Sequence, residues 1–338
     1  MVIGIVGYGL IGRERVAALD QLRQQGLPIT RGFVLDPQIE PGARPALPAD
    51  FAWLNSSDEL LAQAPDWIIV ATPHDVAPRL VPGYLAAGAR VLMEKPMGRN
   101  LVEARRLLAS QPAPGRLFMG FNYRFFAGIN ALLADVRAGT FGPLVSMSMV
   151  LGHGGAPGME KGWKFDPEKA GGGCLIDPGI HLLDLCRLLT PGEIEPIGGA
   201  SWRGFWGTGI EEEAHLVLRR DSVCINVQVS VVRWHSQCRI EVNGTEGYGV
   251  VTGRGRSYGP QRYVRGRRWG WQAARSQAES EELVSESPAT DSFSSELRAL
   301  LTGQALNGVA PCTAEEGFAV MELHARCLEA LPPRPRPA

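Results

Sequence analysis

Val2-Ile3-Gly4-Ile5-Val6-Gly7-Tyr8-Gly9-Leu10-Ile11-Gly12 is the stretch that decides the fold. An apolar run broken only by glycine is the pattern of a parallel strand buried on both faces. Gly7, Gly9 and Gly12 follow at once, and a helical pattern runs from Ile11 to about Gln25, closed by Gly26. A second apolar strand, Gly32-Phe33-Val34-Leu35, ends in Asp36. G-x-G-x-x-G alone is a weak signal. Set between a strand and a helix, with an acidic residue ending the next strand, it is a strong one for dinucleotide binding. The glycines allow a tight turn and let backbone amides approach a pyrophosphate at the helix N-terminus. Gly7, Tyr8, Gly9, Leu10, Ile11 and Gly12 are the expected contacts. Asp36 would accept hydrogen bonds from ribose hydroxyls and repel a 2′-phosphate, so NAD is expected over NADP.

The doubly wound pattern continues. Ser57-Asp58-Glu59-Leu60-Leu61 reads as a capped helix start, and Asp66 to Ala71 as a buried strand ending at Thr72-Pro73. A helix to Ala87-Gly88 leads into Arg90-Val91-Leu92-Met93, with Glu94-Lys95-Pro96 at its carboxyl end. Ligands of open α/β sheets bind outside the carboxyl ends of the strands. Thr72, Pro73, Glu94 and Lys95 are therefore expected beside the cofactor, with Lys95 toward the nicotinamide; a solvated surface lysine is the alternative. A helix from Leu101 to Ala109 and a strand from Arg116 to Gly120 bring the first domain to its end near Arg124.

At 338 residues the chain exceeds what one core usually serves, so two domains are expected. The expected division is 1–124 for dinucleotide binding, 125–331 for substrate and assembly, and a proline-rich, disordered tail at 332–338. A formal net charge of -1 gives no reason to expect nucleic acid or a membrane surface as partner. The 6 cysteines form no Cys-x-x-Cys pair, which fits reduced thiols in a cytoplasmic protein. The apolar start lacks a basic region and meets glycine almost at once, so neither a signal peptide nor a membrane anchor is expected.

From Pro143 the texture changes. Val145–Val150, Glu213–Leu218, Val223–Val229 and Cys238–Val242 all alternate apolar and polar, as strands do in a sheet covered on one face. Asn243-Gly244-Thr245-Glu246-Gly247 is turn chemistry. The fold class is thus α/β plus α+β: a doubly wound parallel sheet, then an open, largely antiparallel one. Leu175–Leu189 is expected to be the main helix of the second domain, and the late helix 315–331 is a candidate to pack back on the first.

Gly171-Gly172-Gly173-Cys174-Leu175-Ile176-Asp177-Pro178-Gly179-Ile180-His181-Leu182-Leu183-Asp184 concentrates the chemistry of the second half. Each glycine costs roughly 0.5–1 kcal/mol relative to alanine, so three together suggest close approach of a backbone or a ligand. If the segment is helical from Asp177, then Asp177, His181 and Asp184 share a face. An imidazole between carboxylates suits proton transfer; a helix capped by Asp177 around a core histidine uses the same residues. A metal site there lacks a second histidine, and no metal is expected. Arg254–Arg268 holds six arginines among aromatic residues. It reads as an anion pocket or as an irregular loop stacked on aromatics. Trp163 and Lys164 lie in a glycine-bounded loop that could act as a lid.

Taken in order, the glycine loop, Glu94-Lys95-Pro96 and the Gly171–Asp184 stretch resemble the glucose–fructose oxidoreductase / inositol dehydrogenase (Gfo/Idh/MocA) family, over nearly the whole chain. The resemblance implies NAD(P)-dependent oxidation or reduction of a sugar or cyclitol hydroxyl by a homo-oligomer, with Lys95 on the reacting oxygen and Asp177 and His181 as the other site groups. In that reading His181 is the general base, Asp177 orients it, Asp184 supports them, and Arg124 and Trp163 add substrate contacts. Two departures stand out: Ala77 occupies a place where the family often has histidine, and Pro178 follows Asp177. The superfamily also includes NAD-using glycosidases and non-catalytic dinucleotide-binding regulators, which stay open as alternatives.

Overall fold

The computed structural model describes residues 1–332, so the tail from 333 on lies outside the described residues. The chain forms two compact units. The first comprises Met1–Asn122, Phe293–Gln304 and Ala310–Met321; the second comprises Tyr123–Ser292, Ala305–Val309 and the described residues 322–332. The first unit thus takes in two late segments that a boundary at 124 leaves out.

In the first unit, β1 (Val2–Val6), β2 (Arg31–Leu35), β3 (Phe51–Leu54), β4 (Trp67–Val70), β5 (Arg90–Glu94) and β6 (Leu117–Gly120) alternate with α1 (Leu10–Gln24), α2 (Ser57–Ala62), α3 (Ala77–Ala86) and α4 (Leu101–Ser110). The six strands pair in parallel in the order β6-β5-β4-β1-β2-β3. β1 therefore lies at the switch point, with Ile5 opposite Val34 on one side and Ile69 on the other. The apolar runs behave as their composition dictates: Ile3, Ile5, Val34, Ile69 and Leu92 are buried.

Strand β3 was not legible, since it is a short run after a proline-rich connection. Nor was the contribution of α8 (Ser292–Thr302) and β15 (Cys312–Thr313). Leu297 and Leu300 of α8 join the same core as Ile3 and Leu19, and β15 closes the sheet edge antiparallel to β6. Arg15 of α1 is wholly buried and meets Glu94 at the end of β5 and Glu296 of α8, each at 2.6 Å. That ion triad joins segments nearly three hundred positions apart.

The second unit holds α5 (Ala127–Arg137), β7 (Leu144–Gly152), α6 (Pro167–Ala170), α7 (Ile180–Leu189), β8 (Glu195–Trp202), β9 (Glu213–Arg220), β10 (Val223–Ser230), β11 (Gln237–Gly244), β12 (Gly247–Thr252), β13 (Gln261–Arg267) and β14 (Glu282–Ser287). Its eight-stranded sheet runs β14-β13-β12-β11-β7-β10-β9-β8, antiparallel except where β7 pairs with β10. Alternation along β9 turns Ala214, Leu216 and Leu218 inward and leaves Val217 exposed. On the covered face, α7 packs on β7, with Cys186 Sγ 3.7 Å from Met149 Sδ.

Two expectations need correction. The main helix begins at Ile180 rather than Leu175. Asp177 precedes proline, which disfavours the helical region for it, so Asp177 and His181 do not share a helix face. The arginine-rich segment is not an irregular loop throughout: Arg262, Arg265 and Arg267 lie on β13. Arg265 bridges Asp135 and Glu282, and Arg262 meets Glu286. The run of basic residues hid the alternation that buries Tyr263.

The last helix, α9 (Ala314–Ala330), begins in the first unit and ends in the second. No helix among the described residues is long and apolar enough to cross a membrane. Within α9, His324 is 3% exposed, and its Nε2 is buried with no hydrogen-bond partner among the described residues. Burial pushes its pKa down to about 4, against about 6.5 in an unfolded chain. The unfolded state therefore binds the extra proton first, and stability falls as pH drops through the window from about 6.5 to about 4. The two values imply a loss of up to about 3 kcal/mol. Thermal unfolding of wild type and His324→Leu between pH 7.5 and 4.5 should show a shallower pH slope in the variant. Equal slopes would count against a neutral buried imidazole.

Candidate functional site

In the first unit the glycine loop is built by close approach. Gly7 has φ +92°, and a Cβ there would sit 2.6 Å from the Ala71 carbonyl oxygen; at Gly12 it would meet the Gly7 carbonyl oxygen at 2.0 Å. Larger residues cannot occupy either position without moving α1 away from the sheet. A Cβ on Gly9, in contrast, would meet nothing within 4 Å, so that face of the loop is open. Helix α1 starts there with no side-chain cap and no acidic residue in its first turn. Its first amides and the helix dipole thus suit an anion.

Asp36 sits at the shoulder of this loop. Its carboxylate accepts from the Tyr8 amide at 2.7 Å and from the Gln38 amide at 2.9 Å. Thr72, just past β4, has a buried hydroxyl with no hydrogen-bond partner among the described residues. An open glycine face, an uncapped helix start, a fixed carboxylate and an unanswered hydroxyl together fit a dinucleotide.

Glu94 Oε1 accepts from Arg15 Nε at 2.7 Å, a partner the sequence did not indicate. Lys95 follows directly, half-buried, at the carboxyl end of β5. His74, beside Thr72-Pro73, is buried, and no sequence signal singled it out. At Ala77, the first residue of α3, a small buried side chain packs.

In the second unit the chemistry gathers around α7. The His181 imidazole is 5% exposed and lies flat on the Tyr123 ring, with centroids 3.8 Å apart at 11°. One turn further on, Asp184 takes two hydrogen bonds from Arg124, Nε at 2.8 Å and Nη2 at 2.5 Å. Arg124 is 2% exposed and forms a buried ion pair with Asp184. Asp177 lies 2.7 Å from Lys164 Nζ, from the 3₁₀ turn Trp163–Phe165. The sequence suggested a lid there but not this ion pair.

The glycine run has its explanation inside the chain. A Cβ on Gly173 would lie 2.0 Å from the Glu211 carbonyl oxygen, and Glu211 Oε1 accepts from the Gly173 amide at 2.9 Å. The close approach is backbone against backbone, so Gly173 needs no ligand to account for it.

Arg254, from the segment read as an anion pocket or an aromatic-stacked loop, belongs here, as do His153 and Tyr123, which sequence reasoning did not single out. Arg254 stacks over Tyr258 at 4.2 Å and over Tyr123 at 5.4 Å. His153 Nδ1 accepts from the Gly155 amide at 3.0 Å, which leaves Nε2 as the donor. Burial, then the nearby Arg254 charge, hold the His153 pKa below its ordinary value. Burial likewise pushes the Tyr123 phenol far up, so it stays neutral. Among the described residues no group of three or more His, Cys, Asp or Glu could hold a metal ion.

Known proteins match this architecture. Residues 1–121 match the oxidoreductase family with an NAD-binding Rossmann fold, and residues 130–249 match the GFO/IDH/MocA C-terminal domain. Between them the matches cover well over half of the chain, which belongs to the Gfo/Idh/MocA oxidoreductase family. Among curated relatives it is similar to the trans-1,2-dihydrobenzene-1,2-diol dehydrogenase of Bos taurus, 30% identical over 64% of this chain and 63% of that one. The chain spans about three fifths of the length of the curated relatives it matches at 30% identity. Among solved structures it resembles a levoglucosan dehydrogenase in complex with NADH and levoglucosan, with a TM-score of 0.80, 17% identity and coverage of 98% and 96% of the two chains. It also resembles a 3-ketoreductase of Actinomadura kijaniata in complex with NADP, with a TM-score of 0.78, 17% identity and 98% coverage of each chain.

The Arg124–Asp184 pair gives a direct test of how the His181 stack is held. Arg124→Met strands a buried carboxylate and should lower unfolding stability by about 3–5 kcal/mol. Adding Asp184→Leu should recover most of the loss. Urea unfolding of the full chain measures both; a single variant as stable as wild type would contradict the arrangement.

Proposed function

We propose that the protein is a nicotinamide-dependent oxidoreductase acting on a hydroxyl or keto carbon of a sugar, cyclitol or related polyol. The observation that carries this reading is the buried His181 imidazole, held flat on Tyr123 in a chain of an oxidoreductase family. The relatives whose names state sugar substrates support the substrate class.

When bound at the glycine loop, the nicotinamide supplies the acceptor or donor of hydride. Gly7–Gly12 would hold the pyrophosphate on the amides of α1, and Asp36 would take the ribose hydroxyls. Lys95 polarises the reacting oxygen and stabilises its alkoxide character as charge develops. His181 takes the hydroxyl proton, or returns it in the reverse direction. Asp177, paired with Lys164, orients the reacting hydroxyl and the imidazole. Trp163 adds an apolar wall for substrate.

The reading includes a cytoplasmic homo-oligomer. It is supported by six free cysteines and by Ile197 and Val217, which are exposed on the open sheet face of β8 and β9.

The two reacting groups can be separated by kinetics. His181→Ala should lower turnover by roughly 10²–10⁴, the usual worth of a placed general base, while cofactor affinity changes little. Lys95→Met keeps the bulk of the stem and removes its charge, and it should depress kcat more than cofactor binding. Absorbance of the reduced cofactor over a panel of sugars, cyclitols and sugar acids, with cofactor Kd by fluorescence, checks both. Turnover within a few-fold of wild type in His181→Ala would make that residue structural only.

Cofactor choice follows from Asp36. A 2′-phosphate would meet its charge at close range and leave ribose donors unanswered, together worth about 1–3 kcal/mol. Arg15 is shut away with Glu94 and Glu296, so it offers that phosphate no compensation. Titration should give roughly ten- to hundredfold tighter binding of NAD than NADP, with the gap narrowed in Asp36→Ser. Tighter NADP binding in the wild type would overturn the assignment.

A further inference from the structure

Arg254, from the arginine-rich segment, stands at the His181 cluster, over the Tyr123 ring on which His181 stacks. The backbone on either side of it is pinned: the Gly253 amide donates to the Cys238 carbonyl at 2.9 Å, and the Gly255 amide to the Gly259 carbonyl at 2.7 Å. Gly253 and Gly255 both have positive φ, and a Cβ on Gly253 would lie 2.0 Å from the Pro260 carbonyl oxygen. The guanidinium is thus delivered to a set place, flat against Tyr258 and reaching the Tyr123 ring on which His181 stacks.

Its charge is unanswered there. Among the described residues no carboxylate forms an ion pair with Arg254, and its Nε is buried without a hydrogen-bond partner. Arginines further along the segment, such as Arg262 and Arg265, do have carboxylate partners. The ionisable groups acting most strongly on Arg254 are Tyr123, Tyr258 and Cys238. Burial raises the Tyr123 phenol and pushes the Cys238 thiol up to about 11, so neither supplies an anion at neutral pH. The carboxylate of Asp177, whose field reaches both His153 and Tyr123, is matched by Lys164 at 2.7 Å. With His153 held neutral, Arg254 keeps a positive charge that no carboxylate pairs, on a group whose fork suits an oxyanion.

We propose that Arg254 binds an anionic group of the substrate, so that the substrate is an acidic sugar carrying a carboxylate or a phosphate. The inference rests on the sugar oxidoreductase reading and sharpens its substrate class. A planar guanidinium stacked on a phenol ring loses little freedom when it takes two parallel hydrogen bonds from its edge. A neutral sugar in the same place would leave that charge partly desolvated and unpaired.

The test compares three probes, glucose, glucuronate and glucose 6-phosphate, on the full chain with cofactor present. Binding is read by calorimetry and turnover by absorbance of the reduced cofactor. One of the two anionic probes should bind at least tenfold more tightly than glucose, and which one does so distinguishes a carboxylate from a phosphate site. Arg254→Met should reduce that preference roughly ten- to hundredfold, and Arg254→Lys, which keeps the charge without the fork, should recover part of it. Circular dichroism of the variants separates loss of the site from loss of the fold. Glucose binding as tightly as either anion, or a preference that survives in folded Arg254→Met, would overturn the proposal. If the preference is present and Arg254-dependent but no probe changes the cofactor, the anion site stands and the oxidoreductase reading is the one that fails.

Discussion

Each unit is organised around a charge that has been taken out of water and answered on the spot. Arg15, wholly buried, holds Glu94 and Glu296 at 2.6 Å each. Arg124, 2% exposed, holds Asp184 through two hydrogen bonds. Burying such ions costs several kcal/mol apiece, so the geometry must be kept or the unit loses more than the pair contributes. In each case the constrained residue sits beside one with proposed chemistry. Glu94 precedes Lys95, Arg124 follows Tyr123, and Asp184 lies one helical turn beyond His181. The ion pairs therefore fix where the working side chains begin.

This arrangement also explains which parts of the fold were legible. The parallel sheet was written in Val2–Val6, Gly32–Leu35 and Trp67–Val70, because strands buried on both faces must be apolar along their whole length. The glycine loop was legible because its positive φ and sub-3 Å approaches admit nothing larger. The return of Phe293–Gln304 to the first unit was not, since Leu297 and Leu300 form an ordinary amphipathic pattern that says nothing about its destination. Partners of charged residues were hidden for the same reason. Nothing in the sequence pairs Arg124 with Asp184, sixty positions away.

In the candidate site, local pattern misled at one place and fell short at another. The spacing of Asp177 and His181 suggested one helix face, but the following proline keeps Asp177 out of the helix, and the two residues reach the cluster from different elements. The arginine-rich segment divides by position. On β13, Arg262 and Arg265 pair with carboxylates of β14, whereas Arg254, ahead of the strand in a glycine-pinned turn, stands at the cluster. Nothing in a one-dimensional count of arginines separates the two roles; the partner of each guanidinium does.

The central claim is that a carbon-bound hydrogen of a sugar-like substrate leaves with its electron pair while His181 handles only the hydroxyl proton. The most direct measurement supplies the sugar and sugar-acid panel deuterated at the carbinol carbons, with NAD, and follows the label by mass spectrometry. The account predicts that deuterium appears in the reduced nicotinamide and none is lost to water. Label released to water, or product formed with no deuterium in the cofactor, would contradict it.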